Sequence, residues 1–216
     1  MNYAIEYVSP KGRFARSSNV ERDAGTNSIE TYLPTGRALD VVSRLTRAIE
    51  DENGSRAFSI TGPYGTGKSS LAVFIDALLG PTKEIVTRNA LSVLSAVDAS
   101  TADALHRGKS RFGDDGFVRA VVTATQEPIS LTLLRAISQG IHRFEVSRKK
   151  VLWRSVLNRT SNALSEAQGR SRSLPTTKFL LDLLEDIASM APIVIVIDEF
   201  GKNLEAFAES RSEADL

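Results

Sequence analysis

The sequence predicts an α/β fold in which helices cover both faces of a mostly parallel sheet, giving three layers. Segments with the apolar periodicity of helices alternate with short β-prone runs, the order typical of such sheets. Residues 193–197 form an uninterrupted aliphatic run, as expected for a central strand buried on both faces. A run at 57–61 leads directly into a glycine-rich loop, and another run covers 117–124. We therefore expect parallel strands near these three positions.

Composition excludes several kinds of site and partner. The 216 residues contain no cysteine, so disulfides, thiolate zinc sites and a cysteine nucleophile are excluded. The 27 basic and 26 acidic side chains nearly cancel, so bulk charge draws the chain neither to nucleic acid nor to a membrane. The longest strongly apolar stretch, 191–197, has seven residues, whereas a membrane-spanning helix needs about 20. Because residues 1–10 also do not resemble a signal peptide, we expect a soluble, cytoplasmic protein.

In the N-terminal half, residues 1–36 are predicted to be a loosely structured lead-in, because most of them are polar and lack periodicity. An amphipathic helix follows over about 38–50. After the β-prone run and its glycine-rich loop, a helix begins at Lys68, and a further helix covers about 88–97. These helices and the run at 57–61 form the first half of the predicted fold.

In the C-terminal half, residues 99–116 are predicted to be a loop, because they mix glycines and acids with other polar residues. The predicted strand at 117–124 comes next. Three helices then precede the last strand, with a polar linker at 168–175 before the third. The first begins at Pro128, the second covers 147–165, and the third is capped by Thr176 or Thr177.

The loop at 62–69 carries the strongest functional signal. It matches the pattern G-x-x-x-x-G-K-[ST] between a predicted strand and a predicted helix. Glycines let the backbone take positive φ and turn its N–H groups toward phosphate oxygens, and the start of the helix adds the positive end of its dipole. We expect Lys68 to reach the β- and γ-phosphates and the Ser69 hydroxyl to bind Mg²⁺. The predicted nucleotide-binding residues are Gly62, Pro63, Tyr64, Gly65, Thr66, Gly67, Lys68, Ser69 and Ser70.

Asp198 and Glu199 directly follow the aliphatic run. A carboxylate at the C-terminal tip of a strand near the glycine-rich loop would hold Mg²⁺, so Asp198 and Ser69 are the predicted metal ligands. Glu199 would polarise the attacking water as a general base. Lys68 and Glu199 are therefore the predicted catalytic residues. The alternative to a metal-binding and catalytic role for these two carboxylates is an ordinary buried strand followed by a charged turn.

Together, Gly62–Ser69 and Ile193–Glu199 resemble the Walker A and Walker B motifs of P-loop ATPases that have a catalytic glutamate, the division containing the AAA+ and STAND ATPases. The resemblance implies an ATPase domain over 37–216 that binds ATP and Mg²⁺. It also makes Tyr32 and Thr35 candidates for contact with the adenine, beside their simpler roles as a turn residue and a helix cap. The two motifs are similar, in addition, to those of large bacterial ATPases of phage-defence systems.

Two departures from this family affect the prediction. Lys68 and Asp198 are 130 positions apart (198 − 68), more than a compact AAA+ core usually has, which implies a helical insertion between the two motifs. Only 17 positions follow Glu199 (216 − 199), too few for the sensor strand and arginine finger that the resemblance implies. We therefore expect either a longer protein or a site that another chain completes, within a homo-oligomer or a larger assembly.

Three alternatives remain open from the sequence. The run Asp198-Glu199-Phe200-Gly201 also fits the D-x-x-G element of GTPases. A nucleotide-gated switch with little turnover would need the same binding loop without efficient hydrolysis. DNA is a further candidate partner through Arg148, Lys149 and Lys150, although a solvated helix face is the simpler explanation of this basic stretch.

Overall fold

The computed structural model describes residues 18–26, 29, 31–51, 54–146, 151–169 and 173–214. This part of the chain contains nine helices and two strands. None of its helices is both long and apolar enough to cross a bilayer. The elements in chain order are α1 (Val20–Asp23), α2 (Gly36–Glu50), α3 (Lys68–Leu78), α4 (Ile85–Val97), α5 (Ala99–Ser110), β1 (Val118–Thr123), α6 (Ile129–Val146), α7 (Val151–Gln168), α8 (Thr177–Met190), β2 (Ile193–Asp198) and α9 (Gly201–Ala214).

The two strands pair in parallel, with Val118 opposite Ile193 and Thr123 opposite Asp198. Their aliphatic side chains alternate between two sets of helices. The α/β class and the parallel pairing of the last two predicted strands are thus confirmed. The central position predicted for residues 193–197, buried on both faces, is wrong. The sheet in the described part of the chain has two strands, so β2 is an edge strand, and all of its residues are only partly buried.

The hydrophobic core lies on both faces of this sheet. On one face, Val121, Val194 and Val196 pack with α2, α3, α4 and α5 around Phe74. On the other face, Val118 and Ile193 join α6, α7 and α8. The fully buried residues of this second cluster are Leu134, Ile137, Ile141, Leu183 and Ile187.

The predicted strand at 57–61 is wrong. These residues are exposed and belong to neither strand, and Phe58 and Ile60 remain 43% and 42% exposed. No backbone hydrogen bond among the described residues joins this segment to β1 or β2. Because the β-propensity of a short run is expressed only against a neighbouring strand, the apolar alternation alone does not create one.

The predicted loop at 99–116 is also wrong for most of its length, because α5 occupies Ala99–Ser110. Its N-cap is Asp98, whose carboxylate accepts the backbone N–H of Thr101 at 2.9 Å and the Thr101 hydroxyl at 2.6 Å. These hydrogen bonds lower the pKa of Asp98. Gly108 lies inside α5 without breaking the helix. A Cβ at this position would lie 3.0 Å from Cγ2 of Ile49, so glycine allows α5 to approach α2 closely. Close helix packing, not a turn, explains Gly108.

The described part of the lead-in is packed against the core. Asn19 caps α1 by accepting the backbone N–H of Arg22 at 3.0 Å, and Val20 and Ile29 are fully buried. The helix contacts both α3 and β1. Residues 1–17 lie outside the described residues, so the loose lead-in remains a prediction there.

Candidate functional site

The glycine-rich loop enters α3 through two left-handed residues. Gly65 has φ of 81° and Gly67 has φ of 85°. A Cβ at either position would meet no atom within 4 Å, so the backbone conformation, not crowding, is what favours glycine there. Gly67 is also the N-cap of α3, and no side chain caps this helix start. The first N–H groups of α3 are therefore left for solvent or an anion.

The loop is closed by hydrogen bonds to its own carbonyl oxygens. The Lys68 ammonium donates to the carbonyls of Gly62 and Pro63 at 3.0 and 2.9 Å, and the Thr66 hydroxyl donates to Pro63 at 2.9 Å. All three contacts are solvent-exposed, and Tyr64 at the tip is 88% exposed. The ammonium thus lies over the loop, where a phosphate could replace its contacts with the carbonyls.

Ser69 and Ser70, the first residues after the loop lysine, are partly buried. The Ser70 hydroxyl lies 2.8 Å from the hydroxyl of Ser18, at the entrance to α1. From Leu71 to Leu78 every residue of α3 is buried, and the helix contacts β2. The loop is therefore carried at the end of a helix that is embedded in the core.

Asp198 lies at the C-terminal end of β2. The backbone N–H of Ala124 donates to its carbonyl at 2.8 Å, which extends the strand pairing beyond Thr123. Glu199 follows with φ of 57°, the one positive φ of a residue other than glycine in the described part of the chain. Its N–H donates to Asp198 Oδ1 at 3.1 Å, and its side chain is exposed. A strained backbone at a strand end is common in functional sites.

Residues that the sequence patterns did not single out connect the helix of the glycine-rich loop with the end of the sheet at Asp198. Asn19 donates from its side chain to the Thr123 hydroxyl at 3.4 Å, beside the Ser18–Ser70 contact. Thr123 is the register partner of Asp198. The start of α1 therefore contacts both the helix of the glycine-rich loop and the end of the sheet. The signal in the sequence was Asn19, a good N-cap residue followed by acids at 21 and 23.

An arginine also lies at this edge of the sheet. Arg135 of α6 donates to the Thr123 carbonyl at 3.2 Å and to Glu127 at 2.7 Å, and it lies 3.6 Å from Glu21. Two carboxylates thus hold its guanidinium in place. No local pattern marks Arg135, because it is separated by at least eight residues from each of these carboxylates.

Tyr32 and Thr35 have structural roles. The Thr35 hydroxyl accepts the backbone N–H of Ala38 at 3.3 Å and caps α2, as its simpler interpretation predicted. The Tyr32 ring packs against Phe74 with centroids 4.7 Å apart. Contact of either residue with a base remains untested.

The donor types at the predicted metal site fit Mg²⁺, which prefers oxygen ligands. They are the Ser69 hydroxyl and the Asp198 carboxylate, whose Oδ1 accepts one backbone N–H. No group of three or more histidine, cysteine, aspartate or glutamate side chains that could hold a metal occurs within the described ranges. A magnesium ion here would therefore take most of its other ligands from phosphate oxygens and water.

The basic triplet Arg148, Lys149 and Lys150 lies outside the described residues. The two aromatic residues that flank it, Phe144 and Trp153, are buried and pack on each other with centroids 5.0 Å apart. They belong to the core between α6 and α7, so they are not available to stack on bases.

Comparison with known proteins adds no relative to this description. No protein-family model matches the chain, and no curated protein and no solved structure is significantly similar to it.

Proposed function

We propose that this protein is a P-loop ATPase domain that binds Mg-ATP through residues 62–70, with a three-layer fold and a helical insertion between its two motifs. One observation carries the proposal: a loop matching G-x-x-x-x-G-K-S has left-handed glycines at 65 and 67 and passes directly into α3 at Lys68. These features orient backbone N–H groups and the positive end of a helix dipole toward one point. A phosphate group is the ligand that such an arrangement suits best.

Charge complementarity supports binding at this loop. The Lys68 ammonium lies near the N-terminus of α3, and among the described contacts it bonds only to carbonyl oxygens. A triphosphate would offer it stronger, charge-assisted acceptors. The loop is exposed, which leaves access for the nucleotide. The Ser70 hydroxyl lies within hydrogen-bond distance of the Ser18 hydroxyl. Binding is therefore the first function we assign.

Hydrolysis is the second step of the proposal. A water molecule attacks the γ-phosphorus, the bond from that phosphorus to the β–γ bridging oxygen breaks, and ADP leaves with the electron pair. Glu199 accepts the proton of the attacking water, while Lys68 and the loop N–H groups stabilise the charge on the phosphoryl oxygens. Mg²⁺ held by Ser69 and Asp198 would supply further charge neutralisation. Asp198 is the last residue of β2 and Glu199 lies just after it. We therefore assign the metal to the first carboxylate and proton transfer to the second.

Calorimetric titration of the purified chain with Mg-ATP and Mg-GTP tests binding. We expect binding of ATP in preference to GTP and loss of binding in Lys68→Ala. Lys83→Ala, which removes an exposed lysine from the turn before α4, is the matched control. Wild-type affinity in Lys68→Ala would refute the assignment, and a preference for GTP would favour the GTPase alternative.

Phosphate release by wild type and by Glu199→Gln tests hydrolysis separately. We expect turnover in the wild type and its loss in the variant, with ATP affinity retained. Binding without turnover in either form would replace the ATPase by a nucleotide-gated switch.

A further inference from the structure

The C-terminal part of α3, away from the glycine-rich loop, belongs to a cluster of five charged residues, of which three are buried and two are partly exposed. Asp76 lies eight residues after Lys68 on the same helix, about 12 Å along its axis. Its side chain is fully buried. The cluster, which we call the α3 ionic cluster, consists of Asp76, Glu84, Lys109, Arg119 and Arg143.

Two arginines from different elements bind Asp76. Arg143 of α6 donates to both carboxylate oxygens, with Nη1 to Oδ1 and Nη2 to Oδ2 each at 3.0 Å. Arg119 of β1 has its Nη1 3.7 Å from Oδ2 and 3.4 Å from the Asp76 carbonyl. The paired contacts with Arg143 fix direction as well as distance, because both partners are planar. They therefore add a directional restraint on the rotation of α3 about its axis to the restraint from its buried apolar side chains.

Lys109 of α5 holds the C-terminal end of the same helix. Its ammonium donates to the carbonyls of Leu78 and Gly80, the second at 3.0 Å, although the residue is only 3% exposed. These carbonyls lie where a helix leaves its last acceptors without intrahelical partners. Burial and the neighbouring Arg119 charge lower the pKa of Lys109 to about 8, against the raising effect of Glu84.

Gly80 gives the cluster room. A Cβ at this position would lie 2.3 Å from the Thr87 hydroxyl and 2.7 Å from Arg119 Nη1. Contacts this short do not occur, so any larger residue would displace the guanidinium. The glycine thus contributes to the geometry that brings Arg119 to Asp76.

The segment on the other side of the loop is not part of the sheet. Residues 57–61 are exposed, and no backbone hydrogen bond within the described ranges ties them to the sheet. The location and the axial rotation of α3 therefore determine where the loop lies relative to Asp198. The only ion pairs that α3 makes in the described part of the chain are those of Asp76.

We propose that Asp76 is a positioning residue for nucleotide binding: with Arg143 and Arg119 it fixes the rotation of α3, and thereby the direction of the N–H groups at residues 67–69. This inference rests on the proposed nucleotide binding and adds a determinant of it about 12 Å from the phosphate site. The role differs from stabilisation of the fold, because it acts on affinity in chains that are already folded.

The test measures Mg-ATP affinity by calorimetry at a temperature at which circular dichroism shows each variant fully folded. Asp76→Asn keeps the shape and removes the charge, and Arg143→Lys keeps the charge and removes the two-pronged contact. Leu183→Ala is the matched control, because it destabilises the opposite core at a fully buried position of α8. We expect affinity about tenfold weaker in Asp76→Asn, a smaller loss in Arg143→Lys and no change in Leu183→Ala.

Three results would overturn the positioning role. The first is wild-type affinity in folded Asp76→Asn. The second is a loss in all three variants that follows their stability, and the third is failure of both cluster variants to fold, since either would make the role purely structural. Failure of the wild type to bind ATP would instead refute the proposed function itself, and the positioning role with it.

Discussion

The buried ammonium of Lys109 predicts an unusual dependence of stability on pH. Its pKa falls from an ordinary value of 10.5 to about 8 in the folded protein, chiefly because burial disfavours the charged form. Between these two values the unfolded chain keeps a proton that the folded chain has released. The free energy of unfolding therefore rises with pH through this window. The stabilisation is complete above pH 10.5 and absent below pH 8.

The expected size of this effect is about 3 kcal/mol, from roughly 1.4 kcal/mol for each unit of the pKa change. Lys109→Met removes the titrating group while keeping a long unbranched side chain. Urea denaturation of both proteins at pH 7 and pH 10 gives the stability difference at each pH. Other groups titrate in both proteins, so their contributions largely cancel in the comparison.

We expect the stability of the wild type relative to Lys109→Met to increase by about 2.5 kcal/mol between pH 7 and pH 10, since pH 10 still lies below the ordinary pKa of 10.5. Lys178→Met, at an exposed position of α8, is the control and should show no such trend. A difference between wild type and Lys109→Met that is the same at both pH values would show that the ammonium is not desolvated as its burial indicates.

Two further predictions concern the loop and α5. Gly67→Ala places a side chain at φ of 85°, so we expect it to lower the free energy of unfolding by about 1 kcal/mol and to weaken ATP binding. Gly36→Ala is the control and should have neither effect, because Gly36 has open space around it and no positive φ. Thermal melts measure the stability of the two variants, and titration calorimetry measures their affinity. Asp98→Ala removes the cap of α5 and should cost about 1 kcal/mol at pH 7 in urea denaturation. Hydrogen bonds from Thr101 lower the Asp98 pKa, so this contribution should be lost as pH falls below 3.8, and an unchanged difference at pH 3 would contradict it.

The sheet pair and the start of α3 could be predicted because their signals are local. An uninterrupted aliphatic run such as 193–197 favours a strand of a parallel sheet, although β2 is only partly buried. A G-K-S sequence after glycines begins a helix at the lysine. The position of Asp198 then follows from strand pairing alone. These features required no knowledge of distant contacts.

The errors arise where local signals are weak or ambiguous. The run at 57–61 has the composition of a strand, but pairing depends on a neighbour that the run does not specify. In α5, glycine and polar residues suggested a loop, while the cap at Asp98 and the buried Leu105 indicated a helix. The α3 ionic cluster joins residues 43 and 67 positions apart along the chain, so spacing gives no sign of it. Its one visible trace was Asp76, a charged residue in an otherwise apolar stretch.

The two halves of the proposed site are positioned by different forces, and this difference has a consequence. Asp198 is fixed by the strand ladder, in which β1 supplies hydrogen bonds on one side. The loop at 62–69 continues into α3, which is held by its buried apolar side chains and, in our proposal, by the charged contacts of Asp76 that help to set its rotation. If the proposal holds, a change in the ionic cluster moves the N–H groups at residues 67–69 while leaving the strand pairing of Asp198 intact.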